Sequence, residues 1–228
     1  MSGRLASFKG PSTPNSSPAR QQQPQQIQSE PTETTHHRKF RLLLLDMKGA
    51  AETWDDLVLV DGLKAAKGLV DARTQLDNEL QLVEERRPRT RLVGPKLAIM
   101  ESRINDLDAV LVKLNKQFRK MTSIYDAMES LLVDAHATRG WQFAQQEPLW
   151  LTWPLERFVN ELSQLIPLYH RELNIHIALV ARLRKHAMPF EEARRAVATW
   201  SEQRWLEDQG WEAKWEDLCE VEVDRWDI

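Results

Sequence analysis

The chain has a single cysteine, Cys219, in 228 residues. No internal disulfide can staple it, and no Cys/His cluster shows metal-ligand spacing, so it reads as an intracellular protein. Its eight glycines are too few for the many tight turns of a sheet protein, while 29% charged residues suit long helices; both argue against an all-β fold. It also lacks a cationic excess. A formal charge of −3 and a pI near 6.1 speak against a strongly basic nucleic-acid binder, because phosphate contacts need a concentrated Lys/Arg surface. Apolar runs such as Leu42–Leu45 are far shorter than the roughly 20 residues that span a bilayer, and the polar start has no signal-peptide core. The expected partners are therefore proteins, with no direct nucleic acid and no membrane.

Catalytic signatures are missing as well. The sequence contains no phosphate-cradling G-x-x-x-x-G-K-[ST] or G-x-G-x-x-G loop, no H-E-x-x-H and no G-x-S-x-G elbow. His170 and His176 stand six apart, which does not place them on the shared face that an i, i+4 metal pair needs. Cys219 lies among carboxylates, which raise a thiol's pKa, and it reads as a small hydrophobe. No enzyme activity, metal or cofactor is expected.

What is present begins with a tail. Residues 1–35 hold five Pro, six Gln, six Ser and four Thr with almost no apolar pattern, so burial cannot offset the entropy of ordering them. Thr13-Pro14 and Ser17-Pro18-Ala19-Arg20 match the minimal and fuller forms of a proline-directed kinase site, which makes Thr13 and Ser17 phosphorylation candidates. A helical pattern from about Arg41 to Glu85 follows, marked by Trp54, Leu57, Val58, Leu69, Val70, Leu76 and Leu80 and punctuated by Gly49, Gly62 and Gly68. Arg87-Pro88 and Gly94-Pro95 predict a loop near 86–95, since a residue before proline is pushed out of the α region. The basic run Arg86, Arg87, Arg89, Arg91 and Lys96 fits a solvated loop or an import signal.

The strongest pattern comes next. Leu97, Met100, Ile104, Leu107, Leu111, Leu114, Phe118, Met121, Tyr125, Met128 and Leu132 alternate at spacings of three and four, a heptad seam that keeps one stripe against a neighbouring helix. Gly140 ends it, and Trp141, Phe143, Pro148, Trp150, Leu151 and Trp153 form an aromatic loop that should fold back onto the bundle. Pro154 suits the first position of another helix. That helix has a second seam, from Leu155 through Val159, Leu162, Ile166, Tyr169, Leu173, His176, Val180 and Leu183 to Ala187, with a bend expected at Pro167. His176 in this seam could set register, as a lone polar residue does in coiled coils. Met188-Pro189 opens a short helix through Val197, Trp200 and Trp205.

Residues 206–228 carry nine acidic side chains against Lys214 and Arg225, with Trp211, Trp215 and Trp226 among them. The expectation is an all-α, antiparallel long-helix coiled-coil bundle over 39–205. A disordered tail, 1–38, precedes it and an acidic, Trp-rich arm, 206–228, follows. Tryptophan is the residue most enriched among interface hot spots. Trp153, Pro154, Trp200, Trp205, Trp211 and Trp215 are therefore candidate partner-binding residues, the alternative being that the rings cap the bundle's own core.

Three segments together carry a family resemblance. Trp54-Asp55-Asp56-Leu57-Val58 opens the first helix; Leu151-Thr152-Trp153-Pro154 leads to Phe158 and then Tyr169-His170-Arg171-Glu172-Leu173; Trp200 falls one short helix later. Over residues 52–205 the chain resembles the cyclin-dependent kinase 2-interacting protein family, small helical proteins of replication and checkpoint control. Pro167, the Gln/Pro-rich head and the acidic end depart from that pattern. The resemblance implies a nuclear adaptor, with the cytoplasm as a second compartment. It implies partners among cell-cycle kinases, replication or checkpoint factors, or the subunits of an AAA ATPase assembly that matures the large ribosomal subunit, in a hetero-oligomer. The competing expectation is a structural coiled-coil subunit of a kinetochore or tethering complex.

Overall fold

A computed structural model describes residues 33–83, 90–207, 209–215, 218 and 222–223, which are mostly helical with no strand among them. The expected tail, with Thr13 and Ser17, lies outside these residues except at its end, as do Arg86, Arg87 and Arg89. The chain divides into Met1–Glu33 and Thr34–Ile228, and every helix belongs to the second unit.

Helix α1 spans Thr35–Asp55 and starts ahead of the expected boundary at residue 39. A cap explains the early start: the Thr34 N–H donates to His37 Nδ1 at 3.2 Å, so His37 fills the place that Glu or Gln takes in a capping box. The helical path continues without a break through a π-helical segment, Asp56–Gly62, into α2, Leu63–Gln81. Neither Gly49 nor Gly68 interrupts it. The wide turn is marked by the Leu63 N–H, which reaches back to the Val58 carbonyl, the i→i+5 bond of a π-helix.

Helix α3 runs over fifty residues, Thr90–Arg139. The loop expected near 86–95 is corrected, because α3 already contains Gly94-Pro95. Part of the clash that a proline imposes on its predecessor falls on that residue's Cβ, which Gly94 lacks, and Pro95 near the helix start forfeits a single backbone bond. At the other end Gly140 has φ +87°, a conformation costly for any residue with a side chain. The expected stop is observed there.

Met100, Leu107, Leu114, Met121, Met128 and Ala135, spaced by seven, are all buried. One flank of this line carries Leu111, Phe118, Tyr125 and Leu132, half-buried and turned toward the helices after residue 154; Phe118 stacks on His170 at 5.3 Å. The other flank carries Val110, Ile124 and Leu131, all buried on the α1–α2 side. α3 is thus a spine with neighbours on both sides, a wider contact face than a two-stranded seam. The α1–α2 arm runs antiparallel to it: Leu42 and Leu43 lie by Leu131, while Glu79 pairs with Lys96.

After α4, Trp141–Gln145, the expected single helix 155–187 is split into α5, Leu155–Ser163, and α6, Leu165–Leu183. The break is one residue, Gln164, still in the right-handed region at φ −70° and ψ −21°, and it lies where a disruption is expected from Pro167. Its ring crowds the carbonyl four residues back, that of Ser163, so α5 ends there and Pro167 falls in the first turn of α6, where its missing N–H costs nothing. α6 stops at Leu183, leaving Ala187 exposed. The buried Arg73 guanidinium donates Nη2–H to the Leu183 carbonyl at 2.9 Å, placing a cation at that helix's C-terminus. Helix α7, Phe190–Glu202, packs on α2 and α6, and the short α8, Trp211–Trp215, touches α1. Trp205 lies beyond α7, in a turn.

Candidate functional site

The side of the bundle between α1 and α5–α6 is filled by rings. Near one end Phe40, Trp150 and Phe158 pack with centroids 5.3–6.1 Å apart. Further along, Trp54 meets Tyr169 edge-on at 5.2 Å, and His176 meets Trp200 edge-on at 4.4 Å. The aromatic loop does fold back, through the buried Phe143, Leu149 and Trp150.

This part of the core contains a buried polar network. The Trp54 indole N–H donates to Gln203 Oε1 at 2.9 Å, and Gln203 Nε2 donates to Asp55 Oδ1 at 3.1 Å. Gln203 has φ +41°, so two side-chain bonds hold a left-handed backbone that a non-glycine residue otherwise avoids. Burial raises the Asp55 pKa, the Gln203 bond opposes this, and the nearby Glu212 adds to the rise. Glu172 is buried and accepts the Trp205 N–H at 2.6 Å; burial raises its pKa too. His176, fully buried, sets Nδ1 at 2.7 Å from the Glu172 carbonyl and Nε2 at 3.3 Å from the Trp200 carbonyl. Burial lowers its pKa, against the pull of those two carbonyls. The seam histidine therefore ties α6 to α7.

The six partner-binding candidates are spread over different environments. Trp200 is wholly buried, with its indole N–H on the Val58 carbonyl at 2.9 Å. Trp211 is buried, and its backbone hydrogen-bonds with Tyr169. Both take the core-cap side of the alternative, which corrects their assignment as docking anchors: a ring packed in its own core is not available to a partner's pocket. Trp153 and Pro154 are half-buried, and the Arg157 guanidinium stands 4.0 Å over the Trp153 ring. Trp205 is 42% exposed, with Arg171 4.8 Å above it. Trp215 belongs to α8, but its side chain, like Asp208, Glu216, Asp217, Cys219 and Trp226, lies outside what is described.

The C-terminal segment is not a free arm. Leu218 and Val223 are buried. Glu222, also buried, accepts the backbone N–H groups of Thr152 and Trp153 at 2.8 and 3.2 Å, together with the Thr152 hydroxyl. A carboxylate thus ties down the two residues just ahead of Pro154, the N-cap of α5. Lys214 pairs with Glu161 at 3.0 Å. The expected boundary at residue 205 does not separate two structural parts, and no local pattern foretold it. Glu222 looks like one more acid in an acidic run until Thr152 is beside it.

Outward-facing apolar side chains lie elsewhere, on α1, the π segment and α3. Leu59 and Val60 are 43% and 58% exposed, and Val112 is 71% exposed. Leu59, Val60 and Leu63 line an open furrow of about 590 Å³ with Lys64, Lys67, Asp71 and Arg103. A second furrow holds Leu42, Leu43, Ala127 and Leu131 between Lys39 and Asp134. The first furrow has no signature in the sequence, where Leu59 and Val60 look like two more apolar residues of a core helix. No helix among the described residues is long and apolar enough to cross a membrane. In comparisons with known proteins, no family model matches the chain and no curated protein matches it.

Proposed function

We propose that this protein is a non-enzymatic adaptor that holds partner proteins on the outer faces of a rigid helical bundle. The observation that carries the reading is the set of exposed aliphatic side chains, Leu59, Val60 and Val112, on helices whose inward faces are fully packed. Exposed apolar groups framed by charge are what protein interfaces use. The resemblance of the Trp153–Pro154 and Tyr169–Leu173 segments to the cyclin-dependent kinase 2-interacting protein family adds the setting: a nuclear protein linking cell-cycle kinase, replication or checkpoint factors, or serving an AAA ATPase assembly in large-subunit maturation. Docking then falls to the helices, because Trp200 and Trp211 are used inside the fold.

Affinity purification of the full chain from nuclear extract, with mass spectrometry, tests this. Recovery of a cell-cycle kinase, replication or checkpoint proteins, or an AAA ATPase supports the adaptor. Recovery of kinetochore or tethering subunits alone, or of no protein above background, overturns it.

A further inference from the structure

We infer that the furrow between the π segment with α2 and the adjoining face of α3 is a docking surface for an acidic amphipathic helix of a partner protein. The inference rests on the adaptor reading and names the surface and the chemistry of its occupant. Two independent features meet here. The first is apolar: Leu59 and Val60 point outward from the π segment and, with the half-buried Leu63, line the furrow. A π turn in a long helix costs hydrogen-bond geometry and recurs at functional sites; this one sets Leu57 and Val58 inward and the next two residues outward.

The second feature is charge. Lys64, Lys67 and Arg103 line the furrow, and Lys64 and Arg103 continue into an adjoining one that ends at Lys113. Further along α3 no carboxylate occurs between Asp108 and Asp126, and Lys113, Lys116 and Lys120 follow one another at i, i+3 and i+7 on one stripe; Arg119 lies off it, beside Val112. Two of the cations are matched within the chain, Arg103 by Asp106 at 3.0 Å and Lys113 by Asp61 at 3.5 Å. Lys64, Lys67, Lys116 and Lys120 have no carboxylate within 4.0 Å among the described residues, and Asp71 is the remaining acid of the furrow. The face is therefore cationic on a protein of net charge −3.

The occupant follows from the combination. Aliphatic side chains between lysines match a helix with an apolar stripe and acidic flanks, the helix-in-groove mode of recognition. Nucleic acid fits less well, since single strands are held by aromatic stacking and the furrow's lining contains no ring. The chain's own acidic segment is committed elsewhere, through Trp211, Leu218, Glu222 and Val223. From Arg103 to Lys120 the face measures about 26 Å at 1.5 Å per residue, room for roughly five helical turns.

The test is fluorescence anisotropy with the full chain and a labelled helical peptide of about five turns, leucines on one face and glutamates on the others. Controls are a scrambled peptide of the same composition, a single-stranded DNA and a DNA duplex. The amphipathic peptide should bind at least about tenfold more tightly than the scrambled one and weaken as salt rises. Lys64→Glu with Lys67→Glu, and separately Leu59→Ser with Val60→Ser, should each weaken it about tenfold or more while leaving the melting temperature near wild type, because these side chains are exposed. Equal binding of the scrambled peptide, tighter binding of either DNA, or wild-type affinity in both double variants overturns the proposal. Purification from nuclear extract separates this from the adaptor reading. Partners recovered equally by the wild type and by a variant combining all four substitutions rule out this face and leave the adaptor standing, whereas a wild type that recovers none removes the adaptor itself.

Discussion

The indole of Trp200 covers the α-carbon of Gly62: a Cβ built there would collide with ring atom Cζ2 and lie 2.9 Å from Cε2 and 3.0 Å from the Leu57 carbonyl oxygen. Alanine normally favours a helix over glycine by up to about 1 kcal/mol, but here it meets a fully buried ring with no room to retreat. Overpacking of about 1–3 kcal/mol should win. Gly62→Ala should lower the urea midpoint, whereas Gly49→Ala, whose Cβ meets nothing within 4 Å, should raise it. Equal shifts of the same sign would refute the Trp200–Gly62 contact.

Gln203 should respond differently to alanine and to glycine. Gln203→Ala leaves the buried Trp54 N–H without an acceptor, about 1–3 kcal/mol, and keeps the left-handed backbone strain. Gln203→Gly loses the same bonds but relieves about 1 kcal/mol of that strain. Thermal melts should therefore rank wild type above the glycine variant and glycine above alanine; alanine at or above glycine would show that φ +41° is not maintained.

Acid should weaken the fold through His176. Its pKa is lowered from 6.5 by burial, so below that value the unfolded chain binds a proton that the folded chain resists. The contribution is complete above pH 6.5 and is lost as pH falls through the lowered folded value; each tenfold difference in proton affinity between the two states is worth about 1.4 kcal/mol at most. Glu172 and Asp55, raised from 4.5 and 3.8, act with the opposite sign: the folded state holds their protons longer, so stability falls as pH rises through their folded pKa values. Urea midpoints measured from about pH 8 to 5 should slope less in His176→Gln than in wild type, and more steeply downward toward acid in Glu172→Gln. Parallel curves for all three would mean these groups do not titrate differently on folding.

The two lines of the α3 seam should differ in weight. Leu114 is wholly buried and Leu111 half-buried, so Leu114→Ala should cost about 2–5 kcal/mol and Leu111→Ala clearly less. Equal losses measured by denaturant unfolding would show that the two positions are enclosed to the same degree, against the difference in burial between them.

Truncation after Arg204 removes Trp211, Leu218 and Val223 from the core and Glu222 from Thr152 and Trp153. At about 1.5–3 kcal/mol per large buried apolar side chain, the loss is comparable with the roughly 5–15 kcal/mol that holds an ordinary domain together. The truncated chain should melt far below the full chain by circular dichroism. An unchanged melting temperature would restore the segment as an independent arm.

Local spacing was enough to settle the all-α class, the presence of the central helix and its stop at Gly140, because a 3–4 repeat over many turns and a glycine at its end are properties of neighbouring residues; its start, carried back through Gly94-Pro95, was not. It also announced a disruption at Pro167, since a missing donor and a crowded ring act on the same short stretch of backbone. Choices between surfaces stayed open. A tryptophan pattern is the same whether the ring meets its own core or a partner, and Trp200 and Trp211 were decided by Gly62, Val58 and Tyr169, residues far away in the chain. Glu222 was decided by Thr152, and the outward turn of Leu59 and Val60 by a π segment whose extra width no periodicity reveals. Burial depends on what distant parts of the chain bring to a residue, and that is fixed when the helices pack.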